Sequence, residues 1–476
     1  MDRKAITILF SIILSVQVYA APPEILTYSP YGVLTIYKPE VDPNSIVLFV
    51  SGDGGWNKGE IDMAKSIVKL GALVVGVDFK SYVKNIKGYK TKCFYPAADF
   101  EQLSFAIQKK YRIKQYLKPI LVGYSAGASL VYGILAQSPD NTFKGAITLG
   151  FCPEIDISKP LCNGKALRQH VIKEGVTYCL DACEKLSAPF IVLHGTNDQV
   201  CSHTETKKFM QAMPWCEFVS LPNVGHDFSV ENDWLPQFVV AYNKVMLAPS
   251  FTFQKSKENA LLKSQGLIPL PYDLPITVIP SLIINDTLPI AFLISGDGGW
   301  TNFDQSLGEA LAIKGIPVIG LDAQQYFWNE KTPDETAVEV AKAVEHYMQQ
   351  WKRSSFILVG YSFGASIVPF IANRLPEQLK KSLKSVFSLS PDEMCDFEIH
   401  VADMLNLESS SDKYNVLSEM KSIVPFHPVC IFGNDEDVVL RNHFSETGAE
   451  VILLSGNHHF NDDFNRITDE IKSFMK

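Results

Sequence analysis

The chain has 476 residues, 46% hydrophobic and 20% charged, with a net charge of −9. That composition belongs to an ordinary globular protein of two to four domains and excludes a disordered or membrane-integral chain. The acidic balance, with no long basic run, excludes nucleic acid as an expected partner and leaves room for a cationic ligand.

The first element is short and apolar. Arg3 and Lys4 precede an apolar stretch from Ala5 to Val18, and Val18-Tyr19-Ala20 supplies small residues before Ala21. The pattern predicts a secretory signal peptide over residues 1–20, cut after Ala20, and a periplasmic product. The stretch is shorter than the roughly 20 residues that a membrane span needs. An oxidising compartment then applies to nine cysteines. Seven lie in the first half and leave their pairing open, whereas Cys395 and Cys430 are alone in the second and are expected to bond to each other.

Next comes a series of short motifs that occurs twice. "VLTIYKP" (33–39), "SGDGGW" (51–56), "LGALVVGVD" (70–78), "PILVGYSAGASLVYGILA" (119–136), "IVLHGTND" (191–198) and "VGHDF" (224–228) follow in order. "LPITVIP" (274–280), "SGDGGW" (295–300), "IKGIPVIGLD" (313–322), "FILVGYSFGASIVPFIA" (356–372), "VCIFGNDED" (429–437) and "GNHHF" (456–460) repeat them. Each copy alternates β-branched apolar runs with stretches of helical period, the pattern of a mostly parallel sheet flanked by helices. The expected organisation is two tandem α/β-hydrolase-like domains, 21–247 and 266–476, joined by a polar, lysine-bearing linker over 248–265.

Both copies contain Gly-x-Ser-x-Gly, at 123–127 and 360–364, between an apolar strand run and a helical stretch. That context marks a nucleophile elbow, in which the serine sits on a tight strand-to-helix turn. A serine hydroxyl needs a base to take its proton and an acid to orient that base, in the chain order Ser, acid, His. The first copy offers Ser125, Asp198 and His226. The second offers Ser362 and His458, with His459 as the alternative base. Its acid is expected to be Asp437, because it precedes Val438-Val439 much as Asp198 precedes Val200; Asp435 and Glu436 are the alternatives. Backbone amides must hold the oxyanion of an acyl-transfer intermediate. Ala126 and Phe363 follow the nucleophiles, and the glycine-rich loops supply Asp53 with Gly54 and Asp297 with Gly298. Trp56 and Trp300 are expected to pack beneath those loops. No phosphate-binding lysine motif is present, and His458, His459, Asp462 and Asp463 lack a matching ligand set elsewhere, so neither cofactor nor metal is expected.

"SGDGGW", "GYSFGA", "DFEIHVADML" (396–405) and "NHHF" resemble the VirJ/AcvB family of periplasmic bacterial proteins, and "CFYPAADFEQLS" (93–104) extends the resemblance to the two-domain AcvB arrangement. The resemblance implies an α/β-hydrolase fold and hydrolysis of lysyl-phosphatidylglycerol, an aminoacylated phospholipid, at the membrane surface. It also implies Ser362 as nucleophile and an association with virulence and type IV secretion components. Asp396, Glu398 and Asp403 are candidate contacts for the lysyl ammonium groups. The alternatives are a lipase or thioesterase of broader range and a non-catalytic periplasmic secretion partner. Two full Ser/acid/His sets argue against the last. The sequence leaves the oligomeric state open.

Overall fold

The computed structural model describes residues 22–139, 142–164, 166–183, 186, 188–248, 274–281, 283, 287–399 and 413–475. The expected signal peptide, nearly all of the expected linker and Asp403 lie outside the described residues. Among the described residues no helix is long and apolar enough to cross a membrane.

The first half builds an eight-stranded sheet from β1 (Glu24–Tyr28), β2 (Gly32–Tyr37), β3 (Ser45–Val50), β4 (Ala72–Val77), β5 (Ile120–Tyr124), β6 (Gly145–Leu149), β10 (Phe190–Gly195) and β11 (Glu217–Leu221). Its order is β1-β2-β4-β3-β5-β6-β10-β11. From β4 to β11 every pairing is parallel, while β1 and β2 add antiparallel strands at one edge. "SIVLFV", "ALVVGV" and "FIVLHG" are buried along their whole length. Such unbroken apolar runs are what a strand covered on both faces requires. Side chains alternate between those faces: Leu48 and Val50 join one core cluster, while Val47 and Phe49 join the other.

The second half repeats the plan. β12 (Ile276–Ile279), β13 (Ile290–Ile294), β14 (Val318–Leu321), β15 (Phe356–Tyr361), β16 (Leu383–Leu389), β19 (Val429–Gly433) and β20 (Glu450–Leu454) form a sheet ordered β12-β14-β13-β15-β16-β19-β20. Only β12 runs antiparallel to its neighbour. Each half carries a small extra sheet at the same place in the chain order. β7 (Glu154–Asp156), β8 (Gln169–Lys173) and β9 (Thr177–Leu180) follow β6, and β17 (Met394–Cys395) pairs with β18 (Tyr414–Asn415) after β16.

Disulfides join Cys93 to Cys162 and Cys152 to Cys201 in the first half. The expected Cys395–Cys430 bond is corrected: the two residues are not bonded to each other. Both are buried in one apolar core, but Cys430 lies within β19, whereas Cys395 directs its thiol at the Ser366 carbonyl 3.8 Å away. Burial pushes the Cys430 thiol well above its ordinary pKa.

Candidate active sites

In the first half β5 passes into the helix Ala126–Gln137 through Ser125, whose backbone has φ 52° and ψ −121°. A non-glycine residue in that region is strained and persists only where its surroundings hold it. Close packing supplies the hold. A Cβ on Gly127 would lie 2.4 Å from the Ser51 carbonyl oxygen, so the helix start must be bare to lie against the end of β3. The serine oxygen is left exposed to a base. Ser125 Oγ is 2.9 Å from His226 Nε2, and His226 Nδ1 is 2.8 Å from Asp198 Oδ2.

The Asp198 side chain is fully buried. Burial alone would raise its pKa, but hydrogen bonds from His226 and from the Cys201 and Val200 amides outweigh it and hold the carboxyl below its usual value. An ionised acid then fixes the imidazole with Nδ1–H toward Asp198 and leaves Nε2 to accept the serine proton. Behind the acid lies His194, which the sequence reading missed because it is embedded in an apolar strand. Its Nε2 lies 3.0 Å from the Cys201 carbonyl oxygen and 3.6 Å from Asp198, and burial lowers its pKa. The Cys152–Cys201 bridge ties this acid-bearing turn to the segment after β6.

The second half reproduces the elbow at Ser362, with φ 53° and ψ −116°. A Cβ on Gly364 would lie 2.3 Å from the Ile294 carbonyl oxygen. The acid differs from expectation. His458 Nδ1 lies 3.4 Å from Glu436 Oε2, while Glu436 Oε1 accepts from Ser390 Oγ at 2.7 Å and the Gly433 amide at 2.6 Å. Burial raises the Glu436 pKa, but those bonds outweigh it and hold the carboxyl below its ordinary value. Asp437 instead caps the helix Val438–Ser445, accepting from the Val439 amide at 2.7 Å. The expectation of Asp437 beside His458 is therefore corrected. Asp435 is exposed, and its amide donates to the Gly456 carbonyl. His459 sits aside, its Nδ1 3.2 Å from the Tyr361 hydroxyl. Among the described residues no hydrogen bond joins Ser362 to His458. Such contacts often tighten only when substrate is bound.

The repeated hexapeptide is a braced loop. Ser51 Oγ accepts from the Phe79 amide at 3.0 Å, and Ser295 Oγ accepts from the Ala323 amide at 2.9 Å. Trp56 and Trp300 lie over Gly76 of β4 and Gly320 of β14, where an added Cβ would come within 2.3 and 1.9 Å of the indoles. So braced, the loop passes the serine of the elbow. A Cβ at Gly52 would be 3.3 Å from Ser125 Cβ, and one at Gly296 would be 3.5 Å from Ser362 Cβ. Asp53, Gly54, Asp297 and Gly298 are exposed on its outer turn. The Gly298 amide donates to Asp297 Oδ1 at 2.9 Å, so it is not directed to an oxyanion. Ala126 and Phe363 open their helices, where first-turn amides have no partner within the helix.

The family described as "Bacterial virulence protein (VirJ)" matches residues 44–149 and 287–476, more than half of the chain and both serine elbows. The chain belongs to the VirJ family. A second family, "Serine aminopeptidase, S33", matches residues 154–233, which include Asp198 and His226. The VirJ-family chain is a serine hydrolase with the α/β-hydrolase fold. Similar solved structures include Est1E from Butyrivibrio proteoclasticus, at 12% identity and TM-score 0.32 over 48% of this chain and 100% of that one. An alpha-beta serine hydrolase homologue from Coxiella burnetii has 18% identity and TM-score 0.32 over 47% and 98%. A thermophilic esterase from Thermogutta terrifontis has 17% identity and TM-score 0.30 over 53% and 96%. No curated sequence matches the chain.

Of the acids considered for ammonium contacts in this VirJ-family chain, Asp396 is buried and Glu398 is ion-paired with Lys109 at 2.7 Å. One trio with metal-ligand chemistry occurs among the described residues: His170, Cys179 and Asp181 bring donor atoms within 4.8 Å of one another. His170 Nδ1 is 2.8 Å from Asp181 Oδ1, so a surface hydrogen bond accounts for two of the three.

Proposed function

We propose that the protein is a periplasmic esterase that hydrolyses lysyl-phosphatidylglycerol at the membrane surface, with Ser362 as nucleophile. The observation that carries the chemistry is the strained serine elbow with a histidine and an acid behind it, present in both halves, the acid fully buried in the first and part-buried in the second. In the second half Glu436 orients His458, which takes the Ser362 proton as its oxygen attacks the lysyl carbonyl. The amides of Phe363 and of the Gly296–Asp297 segment hold the oxyanion. His458 then protonates the departing glycerol oxygen of the lipid, and water, activated by the same histidine, frees lysine from Ser362.

The first half carries the same machinery as Ser125, His226 and Asp198, with Ala126 and the Gly52–Asp53 segment as oxyanion donors. The choice of lipid rests on membership of the VirJ family and on the resemblance of the whole chain to the two-domain arrangement. The N-terminal segment supports export. A tie to type IV secretion components belongs to the same reading.

Purified protein is to be incubated with lysyl-phosphatidylglycerol vesicles and lysine release measured. In a Ser125→Ala background, Ser362→Ala is expected to lower the rate by roughly 10³-fold or more. Ser125→Ala releasing no more lysine than the double variant, while both wild type and Ser125→Ala cleave simple acyl esters, would replace this reading with a broader esterase.

A further inference from the structure

The helix Pro96–Lys110 carries Glu101, Phe105 and Lys109 four residues apart, which places them on one face. That face meets the second half. Phe105, Tyr116 and Trp328 form a buried aromatic cluster, with ring centroids 6.0 and 5.1 Å from Trp328. Lys109 Nζ lies 4.5 Å from the Trp328 ring centroid and pairs with Glu398. Trp328 Nε1 donates to the Ile113 carbonyl and Asn329 Nδ2 to the Lys114 carbonyl, both at 2.9 Å. Farther up the helix Glu101 feels Asp297 of the glycine-rich loop; burial and that charge push its carboxyl up to about 7.

Strand direction says what this contact touches. Trp328 and Asn329 come after the carboxyl end of β14, Glu398 lies just past β17 in the segment that leaves the carboxyl end of β16, Asp297 follows that of β13 and Ser362 that of β15. Every one of these groups is therefore at the reactive end of the second sheet. The first half contributes the end of a helix and residues 113–116, which lead into the amino end of β5, the end away from Ser125. One peptide bond links Trp328 to Phe327, whose ring is 5.2 Å from Phe363 and 5.7 Å from Phe397.

We propose that the first half is a built-in wall of the second active site: its Phe105–Lys109 face grips Trp328, holds Phe327 against Phe363 and so shapes the pocket beside Ser362. The inference rests on Ser362 being a nucleophile. Phe105, Lys109 and Trp328 are positioning residues; none touches the reacting atoms.

The test uses the full chain and a fluorophosphonate probe, with labelling rates at Ser125 and Ser362 read separately by peptide mapping. Phe105→Ala and Lys109→Met are expected to slow Ser362 by about tenfold and leave Ser125 unchanged, and Lys109→Arg to restore the rate, because a misplaced pocket loses alignment at one site only. In a Ser125→Ala background the same variants should raise KM for lysyl-phosphatidylglycerol more than they lower kcat. The part-exposed Lys109 keeps the test readable if Phe105→Ala unfolds. Equal Ser362 rates in wild type and Lys109→Met overturn the wall alone. A wild-type protein labelled at Ser125 and never at Ser362 overturns the nucleophile reading, and the wall with it.

Discussion

Glu436 and Asp437 are adjacent acids with opposite surroundings. Glu436 turns inward to the Gly433 amide, Ser390 and His458, while Asp437 faces outward and caps a helix. Glu436→Gln is expected to slow lysine release roughly 10²- to 10⁴-fold, the range for losing the acid of such a set. Asp437→Ala should leave release within about twofold and cost about 0.5–2 kcal/mol of stability, the worth of a cap. Release assays and urea melts on both variants separate the two roles. The Glu436 pKa is held below its unfolded value, so its contribution to stability is present above that value and is lost as pH falls through the lower, folded one. Glu436 stands three residues after Gly433, as Asp198 does after Gly195, whereas the apolar pair after Asp437 points the sequence reading one residue too far. A periodic pattern says which residues lie near a turn. Which of two neighbouring carboxylates points inward is settled by the backbone of that turn.

At the scale of the element, the strand-to-helix turns and glycine-rich loops were legible because their backbone demands narrow the residues allowed. Their braces were not, since Asp78, which accepts the Trp56 amide at 2.9 Å, and Gly76 lie about twenty residues along the chain. The acid-bearing turn after β10 shows the same non-local support. Cys201 donates its amide to Asp198 while its side chain is bonded to Cys152. Cys152→Ser is expected to slow probe labelling at Ser125 by about ten- to a hundredfold, the cost of a modest misplacement, with Ser362 unaffected. Equal rates at Ser125 in wild type and variant would show that the turn holds its shape without the bridge.

For the whole molecule, each Ser/acid/His set is drawn from a single sheet, so the two sites should titrate with a probe independently. Ser125→Ala is expected to leave the labelling rate at Ser362 within about twofold, because the contact between the halves lies at the end of the first sheet away from Ser125. A tenfold change would reveal coupling through the body of the first half. The sequence by itself determined the duplication, the sheet-and-helix plan, the two serine elbows and the order of their serines relative to the histidines. Those features are written in local patterns: apolar periodicity, glycines at tight turns, and the same motifs in the same order. Only the tertiary structure decided which acid faces His458, that Cys395 and Cys430 are not bonded to each other, and that Trp328 is clasped by the first half. Each of these depends on side-chain direction or on contact between segments distant in the chain, and both are set by packing rather than by pattern.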